Sequence, residues 1–217
     1  ILIMKIVSVI LARGGSKGIP NKNIVDIQGK PMIGYVIEAS LKSKVQETWV
    51  STDCKQIKNT ALSYGAQVID RPKKISQDFS KSEEALLHFS NNVDFDILVF
   101  IQPTSPLLYA SDIDKGINLI MDSASSYDSV FSAYQEHWIP RWYPNITPQN
   151  WDVTDRPMRQ EKNFSYVENG AFYITKKQNL VKTKLRYSGN IGVIEMPNYR
   201  SFQVDTLDDL KLIGKLL

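Results

Sequence analysis

The chain has a single cysteine, Cys54, so no disulfide can form within it. A lone thiol fits a reducing compartment, and Cys54 reads as a small side chain near a helix start. Histidine is scarce as well. His88 and His137 are the only two, and with one cysteine they make no Cys/His metal cluster. No apolar run approaches the roughly 20 residues a membrane-spanning helix needs. The opening residues, ILIMKIV, lack the cationic start and the length of a secretory signal. A cytoplasmic protein with no membrane partner is expected. Charge bias is also missing: the net charge is +3. The basic residues gather in one loop rather than along an aromatic-interleaved stripe, so no nucleic-acid partner is expected.

What is present is a chain of 217 residues, enough for one domain with a real core. Lys5–Ala12 is a continuous β-branched apolar run and predicts a buried parallel strand. Pro31–Ser43 has apolar residues at helical spacing, with Pro at a plausible first position. A short strand is predicted over Thr48–Thr52. Asp53 then stands where a helix N-cap belongs, and that helix ends at Gly65. AQVID reads as a third strand, Ser80–Asn91 as a capped helix and Asp96–Gln102 as a strongly apolar strand. Ser111–Ser123 is helical and Ser129–Tyr134 extended. This alternation predicts an α/β fold with a mostly parallel sheet.

The alternation breaks over residues 135–170. That stretch holds Trp138, Trp142 and Trp151, four prolines and little periodicity. So many large rings argue for an excursion rather than a linker, and exposed rings there suit a subunit interface. Gly170–Thr175 and Asn190–Met196 return to strand character. An amphipathic helix over TLDDLKLIGKLL closes the chain.

Four stretches carry chemistry. The first is LARGGSKGIPNKN, Leu11–Asn23, directly after the first strand. Ligands of open α/β sheets bind beyond the carboxyl ends of strands. Gly14, Gly15 and Gly18 permit close backbone approach, and their amides can form an anion-binding nest. Arg13, Lys17 and Lys22 add charges suited to a triphosphate. The loop matches neither G-x-x-x-x-G-K-[ST] nor G-x-G-x-x-G. By composition alone it also fits a solvated basic turn; its place after a buried strand favours phosphate. The second stretch is IQPTSPLL, Ile101–Leu108, where two prolines restrict Gln102, Thr104 and Ser105, or simply stiffen a strand-to-helix connection. The third is RPMRQEKNFSYVENGAFYI, Arg156–Ile174. Its Arg156 and Arg159 are either carboxylate-binding forks or surface arginines. The fourth is FQVDTLDDL, Phe202–Leu210. Asp205 there ends a short strand and is a candidate Mg²⁺ ligand or a helix starter. Thr206 is placed to cap the last helix, with Asp208 and Asp209 serving its dipole.

These four pieces, in this order, resemble the CMP-sialic acid synthetases (acylneuraminate cytidylyltransferases), over about Lys5 to Leu217. The resemblance implies one cytidylyltransferase domain, 1–217, with a Rossmann-like three-layer fold and 135–170 as a dimerisation and sugar-site excursion. It implies CTP and a sialic-type 2-keto sugar acid as substrates, Mg²⁺ as cofactor and a homodimer. By the same resemblance, Arg13, Lys22 and Asp205 are catalytic, and Asp205 is the metal ligand. Leu11, Ala12, Gly14, Gly15, Ser16 and Lys17 would bind nucleotide together with Arg13, and Asn23, Arg71 and Ser82 would help hold cytidine. Gln102, Arg159, Gln160, Asn169 and Tyr173 would face the sugar acid. Two positions depart from the family pattern. Many bacterial members carry Asp-x-Asp before the last helix, where this chain has Gln203 and Asp205. Some carry an Arg just before the Asn-Gly pair, where this chain has Val167 and Glu168. Activation of Kdo, Kdn, legionaminic or pseudaminic acid is the neighbouring reading. A catalytically silent nucleotide-binding protein is the reading from a different class.

Overall fold

The computed structural model describes residues 4–16 and 18–217. In chain order the elements are β1 (Ile6–Leu11), β2 (Asp26–Ile27), β3 (Lys30–Pro31), α1 (Met32–Leu41), β4 (Glu47–Thr52) and α2 (Lys55–Ser63). They continue with β5 (Gln67–Asp70), α3 (Ser82–Asn92), β6 (Ile97–Ile101), α4 (Ala110–Met121), β7 (Ser129–Glu136) and β8 (Ser165–Lys176). Last come α5 (Lys177–Thr183), β9 (Ile191–Glu195) and α6 (Leu207–Leu216). Seven strands form one sheet in the order β5-β4-β1-β6-β8-β7-β9. All run parallel except β8, which is antiparallel to both β6 and β7. The fold is α/β and Rossmann-like, as expected.

The alternation of side chains along β1 explains the layers. Ile6 and Ile10 join one cluster with Ile33 and Ile37 of α1, Ile57 of α2 and Ile113 of α4. Val7 and Val9 point the other way, into a cluster with Leu86 and Phe89 of α3 and Leu180 of α5. A strand covered on both faces is apolar along nearly all of its length, which is why β1 and β6 read as apolar runs. The one polar residue within β1, Ser8, is buried and satisfied: its hydroxyl lies 2.7 Å from that of Ser40, which in turn is 2.8 Å from that of Thr48.

Strand order places the site. From β1 the chain moves outward to β4 and β5, then returns to β6 on the other flank of β1. Connections leaving β1 and β6 therefore diverge, and a crevice opens at their carboxyl ends. A third cluster fixes one wall of it: Ile19 of the glycine-rich loop is buried with Met32, Leu107, Val204 and Ile213 of α6. Burying one such side chain contributes about 2 kcal/mol, enough to hold a loop that has no regular structure of its own.

Local expectations differ from the structure at several points. Asp53 is not the N-cap of α2; Cys54 is, and its amide donates to the Thr52 hydroxyl at 3.1 Å. Pro31 sits at the N-cap of α1 rather than inside the helix. Lys81 precedes α3 and supplies no side-chain cap. Residues 202–205 form no strand; the Val204 amide instead donates to the Thr104 carbonyl at 2.9 Å. Within the excursion, residues 137–164 contain a single 3₁₀ turn, Arg159–Glu161, and two isolated bridges, Trp142 to Pro148 and Asp152 to Asp155. Trp142 and Trp151 pack edge to face at 5.0 Å, and the Arg156 guanidinium lies over the Trp151 ring. No helix among the described residues is long and apolar enough to cross a membrane.

Candidate active site

A cleft of about 280 Å³ opens where the loops leave β1 and β6. It is lined by Leu11, Arg13, Gly15, Ser16, Gly18, Lys22 and Asn23 from the first loop, and by Phe100, Gln102, Pro103 and Thr104 from the second. Arg71, Ile75, Ser80, Lys81 and Ser82 close the third side. Two stretches that were read separately in the sequence thus share one cavity.

The first loop is shaped from beneath. The buried Ala12 amide donates to the Ser51 carbonyl at 3.0 Å, which continues the β1–β4 pairing by one residue. The Gly14 amide donates to Asp53 Oδ1 at 2.9 Å. A Cβ on Gly14 would lie 2.9 Å from Cys54 Cβ, so a side chain there has no room. Asn23 is buried, and its Nδ2 donates to the Arg13 carbonyl at 2.9 Å. It closes the loop on itself as well as lining the cleft. A Cβ on Gly18 would come within 3.2 Å of the Asp205 carbonyl, so the loop lies directly against the segment before α6. Lys17 lies outside the described residues.

Three of the described cations of the cleft are held by carboxylates or carbonyls. Arg13 Nη1 pairs with Asp78 Oδ1 at 2.6 Å. Lys22 Nζ pairs with Asp205 Oδ1 at 3.0 Å. Arg71 is 8% exposed; its Nη2 donates to the Ser51 carbonyl at 2.6 Å and its Nε to the Ser51 hydroxyl at 3.1 Å. Burial lowers the Arg71 pKa to about 10, with Arg13 pushing the same way and Asp53 opposing. It keeps its charge at neutral pH inside a largely desolvated wall. Ser82 opens α3, so the positive end of that helix faces the cavity.

The last helix begins as expected: Thr206 is its N-cap, and a reciprocal pair with Asp209 completes it. Asp209 Oδ2 accepts from the amides of Thr206 and Asp205, at 2.8 and 3.1 Å. The Thr206 hydroxyl, which also donates to Asp209 Oδ2 at 2.8 Å, and then these amides lower the Asp209 pKa. These bonds also fix the backbone that presents Asp205 at the rim.

The expected sugar residues are dispersed. Gln102 lines the cleft. Asn169 is buried and fully engaged: its Oδ1 accepts from Ser132 Oγ at 2.6 Å and from the Ala171 amide at 3.1 Å, and its Nδ2 donates to Ser201 Oγ at 3.0 Å. Tyr173 is buried between Phe100 and Tyr187, with ring centroids at 5.5 and 5.9 Å, and its hydroxyl donates to Glu168. Burial first, then Glu168, raises its pKa. Arg159 and Gln160 stand on the excursion beside a separate hollow with His137, Lys162, Asn163 and Phe164. Asn169 and Tyr173 therefore support the wall rather than face the cavity, and Arg159 and Gln160 lie off the cleft of their own chain.

Other contributors carried little local signal. Asp53 reads as a helix cap, yet holds the Gly14 amide. Asp78 is one acidic residue in a polar loop, yet pairs with Arg13. Arg186 bonds Glu83 at 2.7 Å and lies over the rings of Phe100 and Tyr173, stiffening the wall behind Phe100.

Comparison with known proteins agrees with this arrangement. The model of the cytidylyltransferase family matches residues 7–213. The chain is 39% identical over 207 residues to N-acylneuraminate cytidylyltransferase A of Danio rerio, an alignment that covers 91% of this chain and 47% of that protein. It is 30% identical over 220 residues to the pseudaminic acid cytidylyltransferase of Campylobacter jejuni, covering 96% and 94%. The solved structure of a CMP:2-keto-3-deoxy-manno-octonic acid synthetase complexed with CTP shares the fold, with a TM-score of 0.72, 22% identity and 98% of each chain covered. The chain spans about half the length of several curated relatives that it matches. With the family model matching residues 7–213, nearly the whole of its length, the chain belongs to the cytidylyltransferase family.

Proposed function

We propose that this chain transfers CMP from CTP to the anomeric hydroxyl of a sialic-type nine-carbon 2-keto sugar acid and releases pyrophosphate. The observation that carries this reading is one cleft lined together by Arg13, Lys22, Arg71 and Gln102. The relatives named for N-acylneuraminate and pseudaminic acid support a nonulosonic acid as the acceptor.

In the reaction, the hydroxyl oxygen bonds to the α-phosphorus as the bond from that phosphorus to the bridging oxygen breaks. The hydroxyl proton passes to solvent, and pyrophosphate leaves with the bonding pair. Such transfers depend on positioning and charge stabilisation rather than on a protein nucleophile. Arg13 and Lys22 give up their carboxylate partners to hold the triphosphate and then the leaving pyrophosphate. The loop amides at Gly15 and Ser16 complete the cradle, while the Gly14 amide, held by Asp53, shapes the loop behind them. Arg71, Asn23 and Ser82 hold the cytidine end, and Gln102 orients the acceptor. Mg²⁺ fits the donor set: Asp205 is an exposed carboxylate at the rim beside Lys22, and Mg²⁺ takes one or two carboxylates with phosphate oxygens and water. Bound there, it would neutralise phosphate charge.

A cytoplasmic homodimer is the assembly that fits. Trp142, Tyr143, Ile146, Met158 and Phe164 all expose apolar surface on the excursion, as a subunit interface requires. The decisive experiment is a CTP-dependent pyrophosphate-release screen with Mg²⁺ across N-acetylneuraminic, Kdn, legionaminic, pseudaminic and Kdo acids. Turnover with a nine-carbon acid is the expected result. Release with Kdo alone moves the substrate, and release with none removes the reading.

A further inference from the structure

We infer that Gln203 is a hydrogen-bond clamp that sets the acceptor end of the cleft, and that residue 203 in this chain is a donor position that disfavours a metal-binding carboxylate of glutamine's length. The inference rests on the reading of the cleft as a CTP site with its acceptor end at Gln102.

The geometry is specific. Gln203 Nε2 donates to the Asn169 carbonyl at 2.6 Å and to the Ser105 hydroxyl at 3.3 Å. One side-chain amide has two hydrogens, and both are used. The two acceptors come from different places: Ser105 follows β6, and Asn169 lies within β8. Gly170, next in β8, has φ +66°, and a Cβ on it would fall 2.5 Å from Gln203 Nε2 and 3.5 Å from Gln102 Nε2. Glycine suits the left-handed backbone there, and a Cβ would also press on the Gln203 amide.

Chemistry then disfavours a carboxylate of glutamine's length at this position. An ionised Glu carries no hydrogen to give, so its oxygen would face the Asn169 carbonyl as acceptor against acceptor. The half-buried setting makes such an unpaired contact costly. Position 203 is thus committed to donation, and Asp205 is left as the carboxylate at the rim.

The clamp reaches the substrate through the backbone. The Gln102 amide donates to the Ala171 carbonyl at 3.0 Å. Gln203 fixes Asn169 and Gly170, these carry Ala171, and Ala171 carries Gln102. Arg71 and Asn23 at the nucleotide end are tied to Ser51 and Arg13 instead. Loosening the clamp moves the acceptor end and leaves the nucleotide end in place. Gln203 is a positioning residue, with no contact to the reacting atoms.

Two variants test this. Gln203→Glu keeps the shape and replaces the donor by an acceptor; Gln203→Met removes the donor without adding charge. Hydrogen exchange is followed at residues 102–106 and 168–172, together with KM for CTP and for the sugar acid that the screen identifies. Mn²⁺ binding in the presence of CTP is measured by electron paramagnetic resonance. Both variants are expected to speed exchange in the two segments and to raise the sugar-acid KM by about tenfold, the scale of one lost hydrogen bond, with the CTP KM changed less than about twofold. Gln203→Glu is expected to bind Mn²⁺ no more tightly than the wild type. Unchanged exchange in Gln203→Met, or tighter Mn²⁺ binding by Gln203→Glu, overturns the inference. If the added charge prevents Gln203→Glu from folding, Gln203→Met decides by exchange and KM. A wild type that turns over no sugar acid removes the functional reading, and the exchange rates then decide the clamp alone.

Discussion

Lys22 and Asp205 are 183 positions apart in the chain and 3.0 Å apart in the fold. On the proposed function, this ammonium holds phosphate and this carboxylate holds the metal, so each would have to release the other before CTP and Mg²⁺ bind, and the pair would compete with the substrate. It is also weak, because the Asp205 side chain is 67% exposed and pairs of this kind contribute about 0–1 kcal/mol.

Asp205→Asn should therefore act in opposite directions on two measurements. Metal-free CTP, titrated calorimetrically in EDTA, should bind about two- to fivefold more tightly, as one weak ion pair is removed. Mg²⁺-dependent turnover should fall steeply. Unchanged or weaker metal-free binding would refute the competition between Asp205 and phosphate.

Gly14→Ala should displace the phosphate loop. The new methyl meets Cys54 Cβ, a backbone-rooted atom that cannot swing aside. Overpacking of this kind costs about 1–3 kcal/mol, and the bond to Asp53 is strained with it. Thermal melts should show lower stability, and the CTP KM should rise. Adding Cys54→Gly removes the opposing atom and should restore part of both; no recovery in the double variant would locate the damage elsewhere.

Arg71, which the proposed function places on the nucleotide, is a charge held at a cost. Its pKa falls from 12.5 to about 10 through burial, a penalty of about 3 kcal/mol against the charged form. The bonds to Ser51 offset part of it, and a bound nucleotide offsets more. In the ligand-free protein the apolar variant Arg71→Met should melt at a higher temperature than the wild type while its CTP KM rises at least tenfold. The sign with pH follows. Arg71 is charged in both folded and unfolded chains below about pH 9, so the difference in melting temperature should be flat from about pH 6 to about pH 9. Only above the folded pKa does the wild type release its proton and recover stability. A lower melting temperature for Arg71→Met at pH 7 would contradict the prediction.

The cap of α6 should titrate. Hydrogen bonds from Thr206 and Asp205 hold the Asp209 pKa below its ordinary value of 3.8. Its stabilisation is thus present above that value and lost as pH falls through the lowered one. Asp209→Asn should melt below the wild type at pH 7, by the equivalent of about 1 kcal/mol for a weakened cap. The gap should close as the pH drops below about 4. A gap independent of pH would place the effect outside the carboxylate.

Much of this protein is written locally. The apolar runs of β1 and β6 announce strands covered on both faces, because burial on both sides leaves almost no polar position to alternate. The glycines and cations of Leu11–Asn23 announce a loop that lets backbone approach an anion, and Thr206 with Asp209 announces a helix start within four residues. These features depend on neighbours in sequence, so the sequence by itself determined them. Tertiary structure decided which side chains remain available. Asp53 could cap α2, but the fold brings Gly14 to it. Asn169 and Tyr173 stand in a motif that resembles a sugar site, yet burial against Ser132, Ser201, Phe100 and Tyr187 commits their polar atoms to the wall. Arg159 and Gln160 sit near that motif in sequence, but the excursion carries them off the cleft. Gln203 has no local reason to be glutamine. The reason is a carbonyl 34 residues earlier and a hydroxyl 98 residues earlier, and only packing of β6, β8 and the segment before α6 sets both acceptors before one amide.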